Sequence, residues 1–404
     1  MPMATVKKLH LTDLPDHILA EIFLLLPDPA DLARASATCV SFLRISTDRP
    51  FLHRFRILHA PPLLGFLNRD GFHPALPPHP SAPAARALAL AADFSFSFLP
   101  SHCRWYVKDI RDGRVLLDSD PREDVRSPVF AVCDPLHRRY VLLPPFPHHL
   151  GLGASLDNTV PMLPGPRCNP FLVPLGEEEA AAGATTFRVI LITHSITSLT
   201  AFVFSSTTGQ WQAAVSKDLS DLGLDKFKSV VISHACDMRH YAYGCFYWDW
   251  VGLVHTKFLV FDTMRMEFSA ADFPPGDWTT DGLAIVEAGE GRLGMFGFDG
   301  VCASDLSYTI AQNEGQSPSQ WQVEKTISVD SRYLYLIKAG TERYSLLMRA
   351  KEDSSLDNPL VEFFAMDART LKLERLCAKK DTNTSFWGHL YTNFPPSLLS
   401  SRTI

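Results

Sequence analysis

The run with the clearest chemical suggestion in this sequence is Gly289-Glu290-Gly291-Arg292-Leu293-Gly294. It has the spacing of a dinucleotide-binding loop, which must follow a strand and open a helix so that helical N–H groups bind the pyrophosphate. Here residues 293–298 alternate like a strand, and Glu287 and Glu290 would repel a phosphate. The sequence therefore predicts a hairpin turn at this place and no cofactor.

Histidines and cysteines do not have the spacing of a metal site. The sequence contains no H-E-x-x-H and no C-x-x-C pattern. His234, Cys236 and His240 are close in sequence, but the alternation of a strand would divide them between two faces of a sheet. G-x-S-x-G is absent as well, so no Ser, His and Asp can be assigned to a catalytic triad. We therefore predict no metal ligand and no catalytic residue.

Aromatic side chains are the best candidates for contact with a partner. Tyr247-Trp248-Asp249-Trp250 stands at an expected strand end, where a tryptophan can bury a large area at a small cost in entropy. Tryptophans also serve as packing residues in strand-rich proteins, and this alternative stays open. The predicted target-binding residues are Tyr247, Trp248 and Trp250.

Composition and charge narrow the class of protein. The chain has 404 residues, of which 46% are hydrophobic, and a net charge of −6, which argues against a general nucleic-acid binder. Its eight scattered cysteines suit reduced thiols. Neither an apolar signal segment nor a run near the ~20 apolar residues of a membrane span is present. We expect a protein of the cytoplasm, the nucleus or both, without membrane contact.

Residues 11–59 show the period of short amphipathic helices. The first helix is expected to begin at Pro15, where a proline loses no hydrogen bond, and to end before Pro27. Its apolar side chains form a stripe roughly 160° wide, whereas one neighbouring helix normally covers about 100°. The stripe consists of Ile18, Leu19, Ile22, Phe23, Leu25 and Leu26. This surplus of apolar surface predicts that a helix of another protein packs on the module.

Two further helices are expected in this module. The second should begin at Asp28-Pro29, with the aspartate as N-cap, and a third should span residues 51–58 after Pro50. One face of the second helix is expected to carry Leu32, Ser36, Cys39 and Leu43.

The module resembles an F-box. The resemblance rests on the L-P-x-x-[IL]-[LA]-x-E-I pattern at residues 14–22, the Leu26-Pro27 stop, the Asp31-Leu32 pair and Cys39; it departs at Phe42, where tryptophan is usual. It implies docking on a Skp-type adaptor and, through that adaptor, on the cullin and RING subunits of a ubiquitin ligase. The predicted adaptor-binding residues are Leu14, Pro15, Ile18, Leu19, Ile22, Leu26 and Leu32.

Composition changes after the helical module. Residues 60–84 are rich in proline and are predicted to form a semi-stiff linker. We expect an F-box module over residues 8–59 and a larger domain over residues 85–400. Residues 84–92 suit either a short helix or the lead-in to the first strand.

The larger domain has the alternation of short strands. Residues 94–100 alternate Phe and Ser, which predicts a half-buried strand, and residues 104–118 read as a strand, an Asp-Gly turn and a strand. Residues 202–211, 259–268 and 363–373 share a plan of strand, polar turn and strand, at separations of ~57 and ~104 residues. That spacing fits four-stranded blades of a β-propeller, and the ~310 remaining residues make six or seven blades. A pair of β-sandwiches is the alternative. The expected fold is an α+β multidomain chain.

A second resemblance covers this larger domain. Phrases at residues 111–117, 134–147, 292–300, 321–329 and 393–399 look like the F-box-associated propeller domain of many plant proteins. Together the two resemblances imply a substrate receptor of a Skp–cullin–F-box ubiquitin ligase, which works in protein ubiquitination.

Two functions of different classes follow. The first is an adaptor without chemistry of its own, which binds a Skp-type partner and an unknown target protein, but no nucleic acid, and acts by proximity. The second is a propeller enzyme, an oxidase or a glycan-processing hydrolase, with the helices as an oligomerisation cap. The enzyme would need histidines, tyrosines or carboxylates that converge at the central channel of the propeller.

Overall fold

The structure is a computed structural model. It describes residues 11, 14–26, 29–59, 61–100, 104–119, 129–146, 169–174, 186–194, 197–223, 239–249, 257–276, 278–299, 305–312, 320–351, 360–380 and 388–393. Asp28, His234, Cys236 and Trp250 lie outside the described residues. The chain divides into two compact units with a boundary between Pro62 and Leu63.

The first unit consists of short helices. They are α1 (Asp16–Leu24), α2 (Pro29–Ser36), α3 (Val40–Thr47) and α4 (Arg49–Leu58). Pro15 precedes α1 and Pro29 begins α2, as the sequence predicts. The N-cap of α4 is Asp48, whose Oδ2 accepts a hydrogen bond from the backbone N–H of Phe51 at 3.2 Å.

The prediction of one helix from Pro29 through Leu43 is wrong, because the chain breaks at Cys39. Cys39 has extended torsions and stands before α3. The hydroxyls of Ser36 and Thr38 donate to the carbonyl oxygens of Ala33 and Ala35, each at 2.7 Å. Such local side-chain bonds compete with helical hydrogen bonds, so a helix tends to end where they cluster.

The helices enclose a small apolar core. Phe23 of α1 meets Phe42 of α3 edge to face, with ring centroids 5.0 Å apart. The phenylalanine that replaces the usual tryptophan is therefore a packing residue, because its ring is buried in this core. The buried side chains are Leu19, Phe23, Leu24, Leu32, Phe42, Ile45, Phe51 and Phe55.

The second unit is built mainly from strands. The strands of its first half are β1 (Leu63–Asn68), β2 (Gly71–Pro74), β3 (Trp105–Arg111), β4 (Arg114–Ser119), β5 (Phe130–Asp134), β6 (Arg139–Leu142), β7 (Asn169–Val173), β8 (Arg188–His194), β9 (Ser198–Ser205), β10 (Gln210–Asp218), β11 (Arg239–Ala242) and β12 (Cys245–Asp249). Those of its second half are β13 (Lys257–Asp262), β14 (Glu267–Asp272), β15 (Trp278–Gly289), β16 (Arg292–Asp299), β17 (Asp305–Gln312), β18 (Gln320–Ser328), β19 (Tyr333–Gly340), β20 (Tyr344–Lys351), β21 (Leu360–Asp367), β22 (Leu373–Lys380) and β23 (His389–Thr392).

Within the described residues these strands form six antiparallel sheets. We call β3–β6 blade 1, β7–β10 blade 2, β11–β14 blade 3, β15–β18 blade 4 and β19–β22 blade 5; blade 6 has the order β2-β1-β23. Neighbouring blades contact each other through the first strands of blades 1–5 and through β23 of blade 6: β3 meets β7, β11 meets β15, β15 meets β19, β19 meets β23 and β23 meets β3. The domain is a six-bladed β-propeller. The sequence predicted six or seven blades, and six is correct. The alternative of paired sandwiches is wrong.

Blade 6 joins distant parts of the chain. Strand β1 pairs with β2 and, on its other side, with β23, so that Leu67 lies opposite His389 and Leu63 lies opposite Thr392. The structure differs here from the linker predicted over residues 60–84, since residues 63–74 form two strands of the ring. The apolar segment LLGFL explains the difference, because Leu63, Leu64, Phe66 and Leu67 are buried. The limits 8–59 and 85–400 stay predictions.

Residues 82–91 form helix α5 (Ala82–Ala91). Of the two alternatives for residues 84–92, the short helix is therefore correct. The strand predicted for residues 94–100 is wrong, because turns occupy this segment and Phe96 has a φ of +55°. The serines and the phenylalanines of this segment alternate because they contact different partners. The hydroxyls of Ser95 and Ser97 donate to the carboxylate of Asp93 at 2.6 and 2.5 Å, while Phe94 stacks on Phe72 at 4.2 Å.

Turn predictions made from glycine are confirmed elsewhere. Asp112-Gly113 joins β3 to β4, as expected for residues 104–118. The glycine-rich run at residues 289–294 forms the hairpin between β15 and β16, with Glu290 and Gly291 in the turn.

Replacement of Gly65 by alanine is expected to weaken blade 6. Gly65 has a φ of +151°, and an added Cβ would lie 2.2 Å from the carbonyl oxygen of His73. We expect Gly65→Ala to lower the free energy of unfolding by ~3 kcal/mol or more, measured by urea denaturation. Gly71→Ala is the matched control, because Gly71 has a φ of +119° with no atom within 4 Å of the new Cβ. Equal losses of stability in the two variants would contradict the expected clash between the new Cβ and the carbonyl oxygen of His73.

Candidate protein-interaction surfaces

An apolar stripe runs along α1 and the residues before it. Leu11, Leu14, Ile18, Ile22 and Leu25 follow each other at intervals of three or four residues, and the two within α1, Ile18 and Ile22, share one side of that helix. The side chain of Ile18 is 39% exposed and that of Leu25 is 81% exposed, while Leu14 and Ile22 are half-buried. The helical unit therefore leaves part of this apolar stripe in contact with solvent.

The predicted adaptor-binding residues divide into three groups by exposure. Leu19 and Leu32 are buried in the core of the helical unit, so they have almost no surface to offer a partner. Pro15 and Ile18 are exposed. The half-buried residues are Leu14, Ile22 and Leu26, which pack on the core and keep an outer surface. Sequence periodicity could not separate these groups, because it does not show which neighbouring helix covers which part of a stripe.

Polar contacts fix α1 against the neighbouring helices. Asp16 forms an ion pair with Arg44 of α3, and Glu21 forms one with Arg54 of α4 at 2.9 Å. These side chains are more than half exposed, so each pair contributes ~1 kcal/mol at most. His59 Nε2 lies 2.7 Å from the carbonyl oxygen of Leu24. The stripe is therefore presented on a helix that is held at both ends.

Exposed apolar residues also lie on α3. Val40 and Leu43 are exposed, and neither was among the predicted adaptor-binding residues. Both belong to α3, which the sequence did not separate from α2. The signal that could have found the break is the pair of hydroxyl residues, Ser36 and Thr38.

The structure corrects the predicted target-binding residues. Tyr247 and Trp248 are buried, the first in the core shared with blade 4 and the second in the core shared with blade 2. Trp250 lies outside the described residues. The physical reason is that blade 3 packs against blade 2 on one face and against blade 4 on the other, so successive side chains of β12 enter one core or the other.

Arg111 crosses the centre of the propeller. It belongs to β3 of blade 1, forms an ion pair with Glu342 of blade 5, and places its Cζ 4.2 Å from the ring centroid of Tyr241 in blade 3. Burial alone would lower the pKa of Arg111, but Glu342 and Asp109 raise it above its ordinary value. Arg111 is thus a permanent cation that holds three alternate blades together.

A second ion pair involves Asp109, which lies two residues before Arg111 on the same strand. Asp109 Oδ1 lies 2.9 Å from Arg239 of blade 3, and Asp109 Oδ2 accepts a hydrogen bond from the backbone N–H of Leu172 in blade 2 at 2.8 Å. Arg239 also donates to the carbonyl oxygen of Lys108 at 2.7 Å. These charges neutralise one another, so their arrangement serves the packing of blades 1, 2 and 3.

His240 differs from these paired groups. Its side chain is buried, and neither ring nitrogen has a hydrogen-bond partner within the described part of the chain. Burial lowers the pKa of His240 to about 4, so the ring is neutral near pH 7. The ring packs closely on Gly340 of β19, since a Cβ added there would lie 3.4 Å from Nδ1.

The described residues can be searched for a metal centre or a membrane span. Among them, no group of three His, Cys, Asp or Glu side chains is placed to hold a metal ion. No helix in the described ranges has the length and apolar character needed to cross a membrane.

The fold and the apolar stripe define a class of protein in which a small helical module precedes a β-propeller. Comparison with family models identifies the helical module: residues 11–58 match the F-box-like family. The chain therefore carries an F-box-like domain followed by a six-bladed propeller. The phenylalanine at position 42 did not prevent this match. Comparison with curated proteins finds no significant match.

Solved structures with similarity to the chain include several of low identity. The β-propeller domain of the Trilobed protease from Pyrococcus furiosus has 7% identity and a TM-score of 0.33, over 68% of this chain and 71% of that one. TolB from Acinetobacter baumannii has 10% identity and a TM-score of 0.36, over 73% and 59%. Domains 1-2 of Drosophila Semaphorin 1b have 11% identity and a TM-score of 0.33, over 67% and 52%.

Loss of the central cation is expected to destabilise the propeller. Arg111→Met would leave Glu342 without its partner and remove the contact with Tyr241. We expect the free energy of unfolding to fall by roughly 2–4 kcal/mol, measured by urea denaturation. Arg369→Met is the control, because Arg369 is exposed and forms no ion pair within the described ranges, and it should change stability by less than ~0.5 kcal/mol. Similar losses in both variants would show that Arg111 has no special role.

Stability is expected to depend on pH through His240. Unfolded chains take up a proton on this histidine below its ordinary pKa of 6.5, whereas the folded protein does so only below about 4. The free energy of unfolding should therefore fall as the pH drops from about 6.5 towards 4. Denaturation curves across this range should show a shallower decline for His240→Leu than for the wild type. Identical slopes would mean that other groups cause the decline.

Proposed function

We propose that this protein is a substrate-receptor subunit of a Skp–cullin–F-box ubiquitin ligase. The observation that carries the proposal is the exposed apolar stripe on α1, within a segment that matches the F-box-like family. A solvated apolar stripe of this kind is costly for a monomer and favourable once a partner covers it.

The partner that suits the stripe is a Skp-type adaptor that offers a helix. Leu14, Ile18, Ile22 and Leu25 have the spacing of anchors for helix-to-helix packing. Pro15 and Leu26 extend the proposed contact at its two ends, while Leu19 and Leu32 support it from the core. Through the adaptor, the chain would reach the cullin and RING subunits.

The propeller is proposed to hold the target protein. A ring of blades is a rigid support, and the turns at its two faces can vary without disturbing the strands. We further infer that it is of the F-box-associated type found in plant proteins, which the phrases at residues 111–117 and 292–300 support. Rate enhancement would come from proximity of the target to the conjugating enzyme, so the subunit needs no catalytic residue of its own.

This role places the protein in the cytoplasm, the nucleus or both, where such ligases act. The free thiols of Cys39, Cys133, Cys245 and Cys377 are compatible with a reducing compartment.

The test is co-purification with a Skp-type adaptor. Charging the stripe with Ile18→Asp and Ile22→Asp should reduce adaptor binding by at least ~100-fold, because each variant buries an unpaired carboxylate in the interface. Ile22 also packs on the core, so Ile18→Asp with Leu25→Asp is a second variant that touches exposed positions. Leu360→Asp, at a propeller residue that is 58% exposed, is the control and should bind normally. Undiminished binding by the folded stripe variants would contradict the proposal.

A further inference from the structure

A proline removes a backbone donor from the C-terminal end of α1. The backbone N–H groups of Leu25 and Leu26 donate to carbonyl oxygens three positions earlier, at 3.1 and 3.2 Å. The next bond of this kind would run from residue 27 to the carbonyl oxygen of Leu24. Residue 27 is a proline, which has no N–H. The Leu24 carbonyl therefore cannot receive the bond that would continue the pattern.

A histidine from α4 supplies a donor instead. His59 Nε2 lies 2.7 Å from the carbonyl oxygen of Leu24. Because a carbonyl oxygen can only accept, Nε2 carries the proton of this hydrogen bond. Leu24 is buried, and a buried carbonyl at a helix end is costly when it has no partner. The imidazole of His59 therefore caps the C-terminal end of α1.

The His59 ring is itself held in place by α4. His59 follows the last residue of that helix, and its backbone N–H donates to the carbonyl oxygen of Phe55 at 2.9 Å. The centroids of the two rings lie 4.2 Å apart, and Phe55 is buried in the core of the helical unit. Since the backbone and the ring of His59 are both fixed, its N–H reaches α1 with little further loss of side-chain entropy.

The capped end of α1 carries two of the proposed adaptor contacts. Leu25 is exposed and Leu26 is half-buried, and both follow Leu24 directly. Without the cap this end of the helix would fray, so a partner would have to order the two leucines again when it binds. Such ordering is subtracted from the binding free energy. The cap should therefore increase the affinity for a partner by keeping the leucines in place beforehand.

We propose that His59 is a positioning residue for adaptor binding, which acts through its hydrogen bond to Leu24 and so fixes Leu25 and Leu26. This inference rests on the proposed function, for which it names the residue that orders one end of the adaptor-binding surface. His59 and Leu24 are 35 positions apart in the sequence. The period of α1 therefore gives no sign of this contact, and only the packing of α4 beside α1 reveals it.

The test separates the donor from the ring in the full-length protein. His59→Phe keeps a ring that can pack on Phe55 but has no donor, whereas His59→Gln loses the ring and keeps an N–H at the position of Nε2. We expect His59→Phe to weaken binding of a purified Skp-type adaptor by at least ~5-fold, and His59→Gln to stay within ~2-fold of the wild type. Titration calorimetry measures both affinities.

A second variant restores the donor from the backbone. Pro27→Ala introduces an N–H three positions after Leu24, where the pattern of bonds requires one. If the missing donor is the cause of weak binding, adding His59→Phe to Pro27→Ala should change the affinity by less than ~2-fold.

Hydrogen exchange gives a readout that affinity does not. In His59→Phe the backbone amides of Leu25 and Leu26 should exchange faster than in the wild type, while α2 and α4 keep their protection. Mass spectrometry of the full-length variants measures this exchange.

Four results would overturn the inference. They are wild-type affinity in His59→Phe, equal losses of affinity in His59→Phe and His59→Gln, additive effects of Pro27→Ala and His59→Phe, and faster exchange throughout the helical unit of His59→Phe. Wild-type protein is titrated in the same series. Any of these results with normal wild-type binding overturns only this inference, whereas absence of adaptor binding by the wild type overturns the proposed function and this inference with it.

Discussion

Pairing between β1 and β23 is the constraint on which the propeller depends. Every other blade closes within a continuous stretch of chain, but blade 6 needs a strand from each end of the domain. Main-chain hydrogen bonds provide this closure, and the buried side chains of Phe66 and Tyr391 give it an apolar core. Without it, β1 and β23 would each present an unpaired edge.

Ion pairs across the centre support the closed ring. Arg111 connects blades 1, 3 and 5, and Asp109 connects blades 1, 2 and 3 through Arg239 and the backbone of Leu172. Because these groups are largely removed from water, each charge requires its partner, and removal of one leaves the other at a high energetic cost. The centre of this propeller is therefore specified by charge pairing as well as by apolar packing.

The sequence predicts local structure well where one physical signal dominates. Pro15 and Pro29 set the starts of α1 and α2, and Asp112-Gly113 sets a hairpin. Other features depend on contacts between distant residues. Leu19 and Ile18 have equal hydrophobicity, yet only tertiary packing buries one and exposes the other. Trp248 is an anchor candidate by type, and the blades on both sides of it turn it into a core residue.

The position of β23 has a consequence for synthesis of the protein on the ribosome. Its partner β1 is made first, and roughly 320 residues separate Leu67 from His389. Contacts of such long range form late and slow folding. During translation one edge of β1 therefore stays without a partner strand. A growing chain with an unpaired strand edge is prone to misfolding and aggregation. A nascent chain of this architecture therefore keeps β1 without its second partner strand until its last strand emerges.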